Sequence, residues 1–235
     1  RLQRAWLRRG LCRAAVTVNG RWPDQPPWVH AFDNPTLTES ELSEGAAAAR
    51  ARLEGPPFHV VFVGRLETEK GADIAVDTVA ELRSRGLDVR LDLVGDGPLR
   101  DWVGARSRAM GDESVVLHGW LTRAQLEEHL AKAHVMLLPT SAAEGFPKVL
   151  GEALAFGCVP VTSGISSMGQ VLHETGGAVV VNPTSSWADA VEQLLTDGSL
   201  PALAAEGIAS APRFSYATYL ARVRDLAQSE WGRTL

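Results

Sequence analysis

The stretch Phe58-His59-Val60-Val61-Phe62-Val63-Gly64-Arg65-Leu66-Glu67-Thr68-Glu69-Lys70-Gly71 decides the fold class. Its first six residues form a nearly continuous apolar run, the signature of a strand buried on both faces of a parallel sheet. A glycine and a charged loop follow, and then Ala72–Ser84 reads as a helix. The unit repeats outward. Strands are predicted at 58–63, 89–94, 114–117, 135–138, 160–163 and 178–181, with helices at 72–84, 99–109, 123–131, 147–156 and 187–196. Ser185 or Ser186 can cap the last helix and Gly198 can stop it. Such alternation predicts an α/β fold: a doubly wound, mostly parallel Rossmann-like sheet with right-handed crossovers.

Residues 1–57 do not follow this rhythm. Ala15–Val18 and Trp28–Ala31 could be two strands, separated by turns containing Pro23, Pro26 and Pro27, with Asn34-Pro35 after them. Glu44–Glu54, with four consecutive alanines, is a good helix former that Gly55-Pro56-Pro57 breaks. Tyr216–Trp231 places Tyr219 or Leu220, Val223 and Leu226 on one face of a terminal amphipathic helix. The expected division is a remnant and connector at 1–57, a main domain at 58–213, and a C-terminal helix at 214–235 that packs toward another domain.

The composition, 45% hydrophobic and 22% charged in 235 residues, can bury a sizeable core and argues against disorder. A net charge of −5 gives no reason to expect nucleic acid as a partner. Cys158, in an apolar run, reads as a buried small hydrophobe; Cys12 is the other of two cysteines. No membrane-span or secretory pattern is read, and a reducing cytoplasm is the expected setting. Six arginines and no acid occur in residues 1–23. Leu2, Trp6, Leu7 and Leu11 among them permit an amphipathic helix, through residues 1–13, in peripheral contact with an anionic membrane; the preferred reading is a surface helix of a domain whose other part is absent, because a basic helix alone is a weak membrane signal.

Three loops follow strand ends, where open α/β sheets bind ligands. In the first, Gly64 lets the backbone approach, and Arg65 and Lys70 can reach one space beside a helix start. That arrangement suits a diphosphate. The second, Gly95-Asp96-Gly97-Pro98, begins like a dinucleotide fingerprint but has Arg100 in place of the third glycine. The third runs Glu144-Gly145-Phe146-Pro147-Lys148-Val149-Leu150-Gly151-Glu152. Pro147 suits the first helical position. Eight helical residues span roughly 12 Å, so Glu144 and Glu152 could grip hydroxyls at separate points of an elongated ligand. They are too far apart for the close pair, about 5 Å, of a retaining glycosidase.

Together these motifs resemble the retaining glycosyltransferases of family 4 (glycosyl transferase group 1), which pair two facing Rossmann-like domains. Gly64-Arg65-Leu66 with Lys70-Gly71, Val94-Gly95-Asp96-Gly97-Pro98, the two glutamates eight apart, Ala155-x-Gly157-x-Val159-Pro160-Val161 and Gly177-x-Val179 stand in the family's order over about residues 58–200. The resemblance implies a nucleotide-sugar donor and no cofactor or metal. It implies that Arg65 and Lys70 neutralise the donor diphosphate, Glu144 holds the sugar and Glu152 the ribose. Phe146 and Pro147 would shape the turn at the sugar, and the Val149 and Leu150 amides would meet phosphate. The strand end from His118 to Leu121 would hold the base, largely through main chain.

Departures are visible. Where the family often has Gly-Gly and an acid after the fifth strand, this chain has Ser166-Ser167 and Gln170. Family members usually carry an acceptor domain ahead of this one, and 57 residues are too few to build it. The expectation is a donor-binding half that needs an N-terminal domain or a separate acceptor-binding chain, the acceptor being unknown. A non-catalytic nucleotide-sugar-binding subunit and a nucleotide-sugar 2-epimerase are the alternatives. His30, His59, His118, His129, His134 and His173 show no metal-ligand spacing, and a structural role is expected for each.

Overall fold

The computed structural model describes residues 15–20, 24–52, 55–111, 113–142, 145–165, 168–182 and 185–232. The basic segment 1–13, Cys12, Glu144 and Ser166-Ser167 lie outside the described residues.

The sheet has six strands, all parallel: β3 (Phe58–Val63), β4 (Val89–Val94), β5 (Val115–Gly119), β6 (Val135–Leu138), β7 (Val159–Ser163) and β8 (Val179–Val181). Its order is β5-β4-β3-β6-β7-β8, so the chain starts in the middle, winds to one edge, returns and winds to the other. The reversal between β3 and β6 opens a crevice at their carboxyl ends. Every residue of β6 is buried, as is most of β7, which explains why their sequences show no alternation. Helix α2 (Ala72–Ser84) contacts both α3 (Arg100–Met110) and α7 (Trp187–Thr196) in one layer. Helices α1 (Glu39–Ala51), α4 (Arg123–Lys132), α5 (Lys148–Ala155) and α8 (Leu200–Ser210) form a second group, with α6 (Met168–Thr175) against α8. The core between these layers includes Val60, Phe62, Leu91, Leu93, Met136 and Leu137, all 0–1% exposed; each such side chain contributes about 1.5–3 kcal/mol.

Helices α6 and α8 were not among the predicted elements. Helix α8 reads LPALAAEGIAS, with Glu206 as its one charged residue, so it has little polar contrast to reveal a period. Helix α1 begins five residues before the predicted start. Thr38 caps it and Glu41 returns the bond to the Thr38 amide, a Thr-x-x-Glu capping box that was legible in the sequence. The helix stops at Ala51, ahead of the predicted end.

The N-terminal residues form a parallel pair, β1 (Val16–Asn19) with β2 (Val29–Phe32), each one residue later than expected. Helix α9 (Tyr216–Trp231) packs on it: Tyr219 meets the Phe32 ring edge-on at 5.6 Å and the Arg222 guanidinium lies 4.8 Å over the same ring. Leu220 faces outward, 49% exposed, so Tyr219 is the inward member of that predicted pair. Asp33, 9% exposed, accepts from Arg213 at 2.7 and 3.2 Å and from Arg222 at 3.2 Å. The connector is sewn to the C-terminal segment: Thr36 and Leu37 amides donate to Phe214 O, and the Tyr216 amide donates to Leu37 O. Among the described residues, no helix is long and apolar enough to cross a membrane.

Candidate functional site

Loops after β3, β4 and β6 meet at the reversal point, backbone against backbone. The Gly64 amide donates to Val94 O (3.0 Å), the Leu66 amide to Asp96 O (3.0 Å) and the Leu99 amide to Leu66 O (2.9 Å). Gly95 sits at φ 131°, and a Cβ there would lie 2.0 Å from Gly64 O. Gly71 sits at φ 77°, and a Cβ there would lie 2.4 Å from Pro139 O. Both positions require glycine for conformation and for space. The first motif is thus locked against the second and against the strand end leading to the third. Glu69 O completes the lock, accepting from the Ser141 amide (2.8 Å), the Ala142 amide (3.2 Å) and the Thr140 hydroxyl (3.0 Å).

Arg65 and Lys70 flank this junction. The Arg65 side chain is 63% exposed with Nη2 3.4 Å from Glu67 Oε2, and Lys70 is half-buried in the 3₁₀ turn Thr68–Lys70 that leads into α2. In the third loop, Phe146 is 3% exposed and stacks on Phe214, centroids 4.8 Å apart and planes 4° from parallel. Its ring fixes the loop from beneath. Pro147 has an extended conformation and caps α5, which begins at Lys148 and not at Pro147 as predicted; a residue with ψ 130° cannot be inside the helix. The Leu150 amide donates to Pro147 O at 3.1 Å and so closes the first turn of α5, while Val149 is half-buried beside it. A Cβ on Gly145 would lie 2.7 Å from Asn19 Nδ2, which brings the end of β1 to this loop.

Glu152 is 8% exposed on α5. Its Oε1 accepts from the Thr36 hydroxyl and, at 3.0 Å, from Arg123 Nη1. Arg123 also donates to Thr36 O at 2.7 Å and to Glu41, and lies 3.1 Å from Glu127. Burial opposes the charge on Arg123, but Glu41 and Glu152 outweigh it and keep the guanidinium more firmly protonated. Burial also pushes the Glu41 carboxyl up; the Thr38 amide and Arg123 overcome this and hold it below its usual range. Glu127 is pushed up by burial and then by Glu41 beside it. Neither Thr36 nor Arg123 was singled out from sequence. A signal existed: Arg123 follows the Thr122 cap of α4, and a cation in a first helical turn opposes the helix dipole unless carboxylates hold it.

At the carboxyl end of β5, the Gly119 carbonyl accepts from the Gly95 amide at 2.7 Å. His118 points its Nε2 at Asp92 Oδ1, 2.5 Å away, so its side chain is engaged within the protein. Leu121 packs partly buried against the core, while Trp120 between them is 76% exposed. A cavity of about 670 Å³, lined by Arg52, Pro56, His59, Lys132 and His134 among others, lies at the opposite, amino-terminal ends of β3 and β6.

The chain is 28% identical over 184 residues to an alpha-D-kanosaminyltransferase of Streptomyces kanamyceticus, covering 76% of this chain and 46% of that protein. It is 31% identical over 158 residues to a D-inositol 3-phosphate glycosyltransferase of Arthrobacter sp. (strain FB24), covering 63% and 37%. The chain therefore spans less than half the length of these curated relatives. Its fold matches that of Anabaena Alr3699/HepE, solved in complex with UDP and glucose, with a TM-score of 0.69 at 18% identity over 92% of this chain and 63% of that one. The sheet is one half of a GT-B fold. Residues 57–197 match the family model described as "Glycosyl transferases group 1", and the chain belongs to that family of glycosyltransferases.

Proposed function

We propose that this chain is the donor-binding half of a retaining glycosyltransferase, passing a sugar from a nucleotide-sugar to an acceptor hydroxyl. The observation that carries the reading is the junction of three loops at the reversal point, with Arg65 and Lys70 on its rim. An anion seated there meets two cations and the start of α5. Arg65 and Lys70 neutralise the diphosphate and stabilise it as it leaves, the charge work that a divalent ion does elsewhere. Glu144 grips the sugar. Glu152 holds the ribose hydroxyls, with Arg123 and Thr36 fixing its carboxylate through Oε1. Gly64 gives the phosphates room, Gly95 lets the second loop close against Gly64, Phe146 and Pro147 set the turn at the sugar, and the Val149 and Leu150 amides begin the helix that faces phosphate. The base lies along His118 to Leu121. The acceptor is held across the cleft, by a facing domain or by a separate chain.

The test is calorimetry of the chain with UDP, GDP and ADP. One of them binds, and Arg65→Ala or Lys70→Ala weakens it by about 1.5–3 kcal/mol, the worth of hydrogen bonds to charged groups. Unchanged affinity in both variants sinks the assignment.

A further inference from the structure

Behind the strand ends, Asp92 of β4, His118 of β5 and His129 of α4 converge. Their ligand atoms all lie within 4.8 Å of one another. His118 Nε2 is 2.5 Å from Asp92 Oδ1, and His129 Nδ1 is 3.6 Å from Asp92 Oδ2, too far for a hydrogen bond. The two imidazole rings stand 4.2 Å apart, tilted by 57°. The His129 Nδ1 atom is buried and has no hydrogen-bond partner. An aromatic nitrogen in that state normally has something to bind. The three side chains are 20–22% exposed, so water can reach the cluster to complete a coordination shell.

We infer that Asp92, His118 and His129 form a binding site for a divalent transition-metal ion of the zinc class. Two imidazoles and a carboxylate are the donor set such ions take, with remaining positions filled by water. Magnesium and calcium prefer all-oxygen shells and are a poor match. Size agrees as well. Three atoms within 4.8 Å of one another leave a central point no more than about 2.8 Å from each, against about 2.0–2.2 Å for zinc bonds, so shifts of under ~1 Å seat the ion. His118 gives up its direct contact with Asp92, and His129 Nδ1 gains a partner. The ion joins three elements: β4, the end of β5 that leads to Gly119–Leu121, and α4, the helix that follows it and begins at Arg123. It takes no part in the proposed diphosphate chemistry.

The experiment uses the chain stripped with EDTA. Zn²⁺ raises its thermal midpoint, and Co²⁺ gives the visible absorption of a low-coordinate N/O site at one equivalent. His129→Ala, shown by its cooperative melt in EDTA to be folded, loses the Co²⁺ band and binds Zn²⁺ at least about tenfold more weakly, since even outer-shell partners are worth ten- to a hundredfold. Asp92→Asn does the same. Should His129→Ala not fold, His129→Gln keeps the helix and removes the imidazole. Absence of Co²⁺ absorption and of any Zn²⁺ effect in the parent chain overturns the proposal. So does equal binding by parent and His129 variants, which places the metal on other residues. Nucleotide binding by the chain is read separately and bears on neither outcome.

Discussion

Removing Arg123 tests how the buried carboxylate of α5 is held. Arg123→Ala deletes the 3.0 Å bond to Glu152, which is only 8% exposed, and the 2.7 Å bond to Thr36 O. The first is a charge-assisted bond to a buried group and is worth about 1.5–3 kcal/mol; the second adds about 1–1.5. The pairs with Glu41 and Glu127 add less than about 1 kcal/mol together, because the Arg123 side chain is 44% exposed and solvent screens it. The expected cost is therefore about 3–5 kcal/mol. Much of it comes from stranding the Glu152 charge, and that part is separable. Glu152→Gln removes the charge and keeps the shape, so in the Arg123→Ala background it is neutral or stabilising, although alone it is destabilising. Urea denaturation of the parent, both single variants and the double variant closes the cycle. A coupling of about 1.5–3 kcal/mol is expected. Additivity within about 0.5 kcal/mol, or a cost for Arg123→Ala under about 1 kcal/mol, refutes the argument.

Three further outcomes are expected. Gly95→Ala costs about 2–4 kcal/mol in the same assay, because φ is 131° and the new Cβ meets Gly64 O at 2.0 Å; Gly86→Ala, at φ 92° with nothing within 4 Å, costs only about 1, and equal costs would remove the steric explanation. Burial holds the His59 imidazole below its usual range despite the opposing pull of Asp92, with Arg90 and Lys132 adding to the depression and Asp88 opposing it. The unfolded state then binds the proton more readily, so stability present above about pH 6.5 is lost as pH falls below it; urea midpoints measured down to about pH 5.5 fall less in His59→Gln, and an identical slope would be the contrary result. Burial pushes the Cys158 thiol up to about 12, so in a Cys12→Ser variant a thiol reagent at neutral pH reacts only after denaturant is added; prompt reaction would contradict its place in the core.

The main sheet was legible because its central strands are largely buried, β6 and β7 most completely, and its turns are punctuated by glycine and proline. Phe58–Val63 and Val89–Val94 match to the residue, and the crossover order follows from the alternation. Helices α6 and α8 escaped because one is short and the other lacks polar contrast. In the site, the glycine-bearing loops could be read since backbone approach demands glycine at particular places. The network around Glu152 could not, because it depends on Thr36, Glu41 and Arg123 meeting from three separate elements. The same is true of Asp92, His118 and His129: no local spacing marks ligands that a sheet and its covering helix bring together. The motif gives Phe146 a place at the turn, but the stacking of its ring on Phe214 is beyond the reach of any local pattern.

The seam between β3 and β6 has a consequence for the order of events during synthesis. The loop carrying Arg65 and Lys70 leaves the ribosome long before Pro139, Thr140 and Ser141, which clamp Glu69 and press on Gly71. Until β6 docks, the nascent β3–β4–β5 sheet exposes one flank of β3 and has no wall opposite its cations. The proposed diphosphate site is therefore completed late, when the returning half of the chain zips onto the first. A ligand spanning both halves then acts as a brace across that zipper, most valuable where the seam would open first.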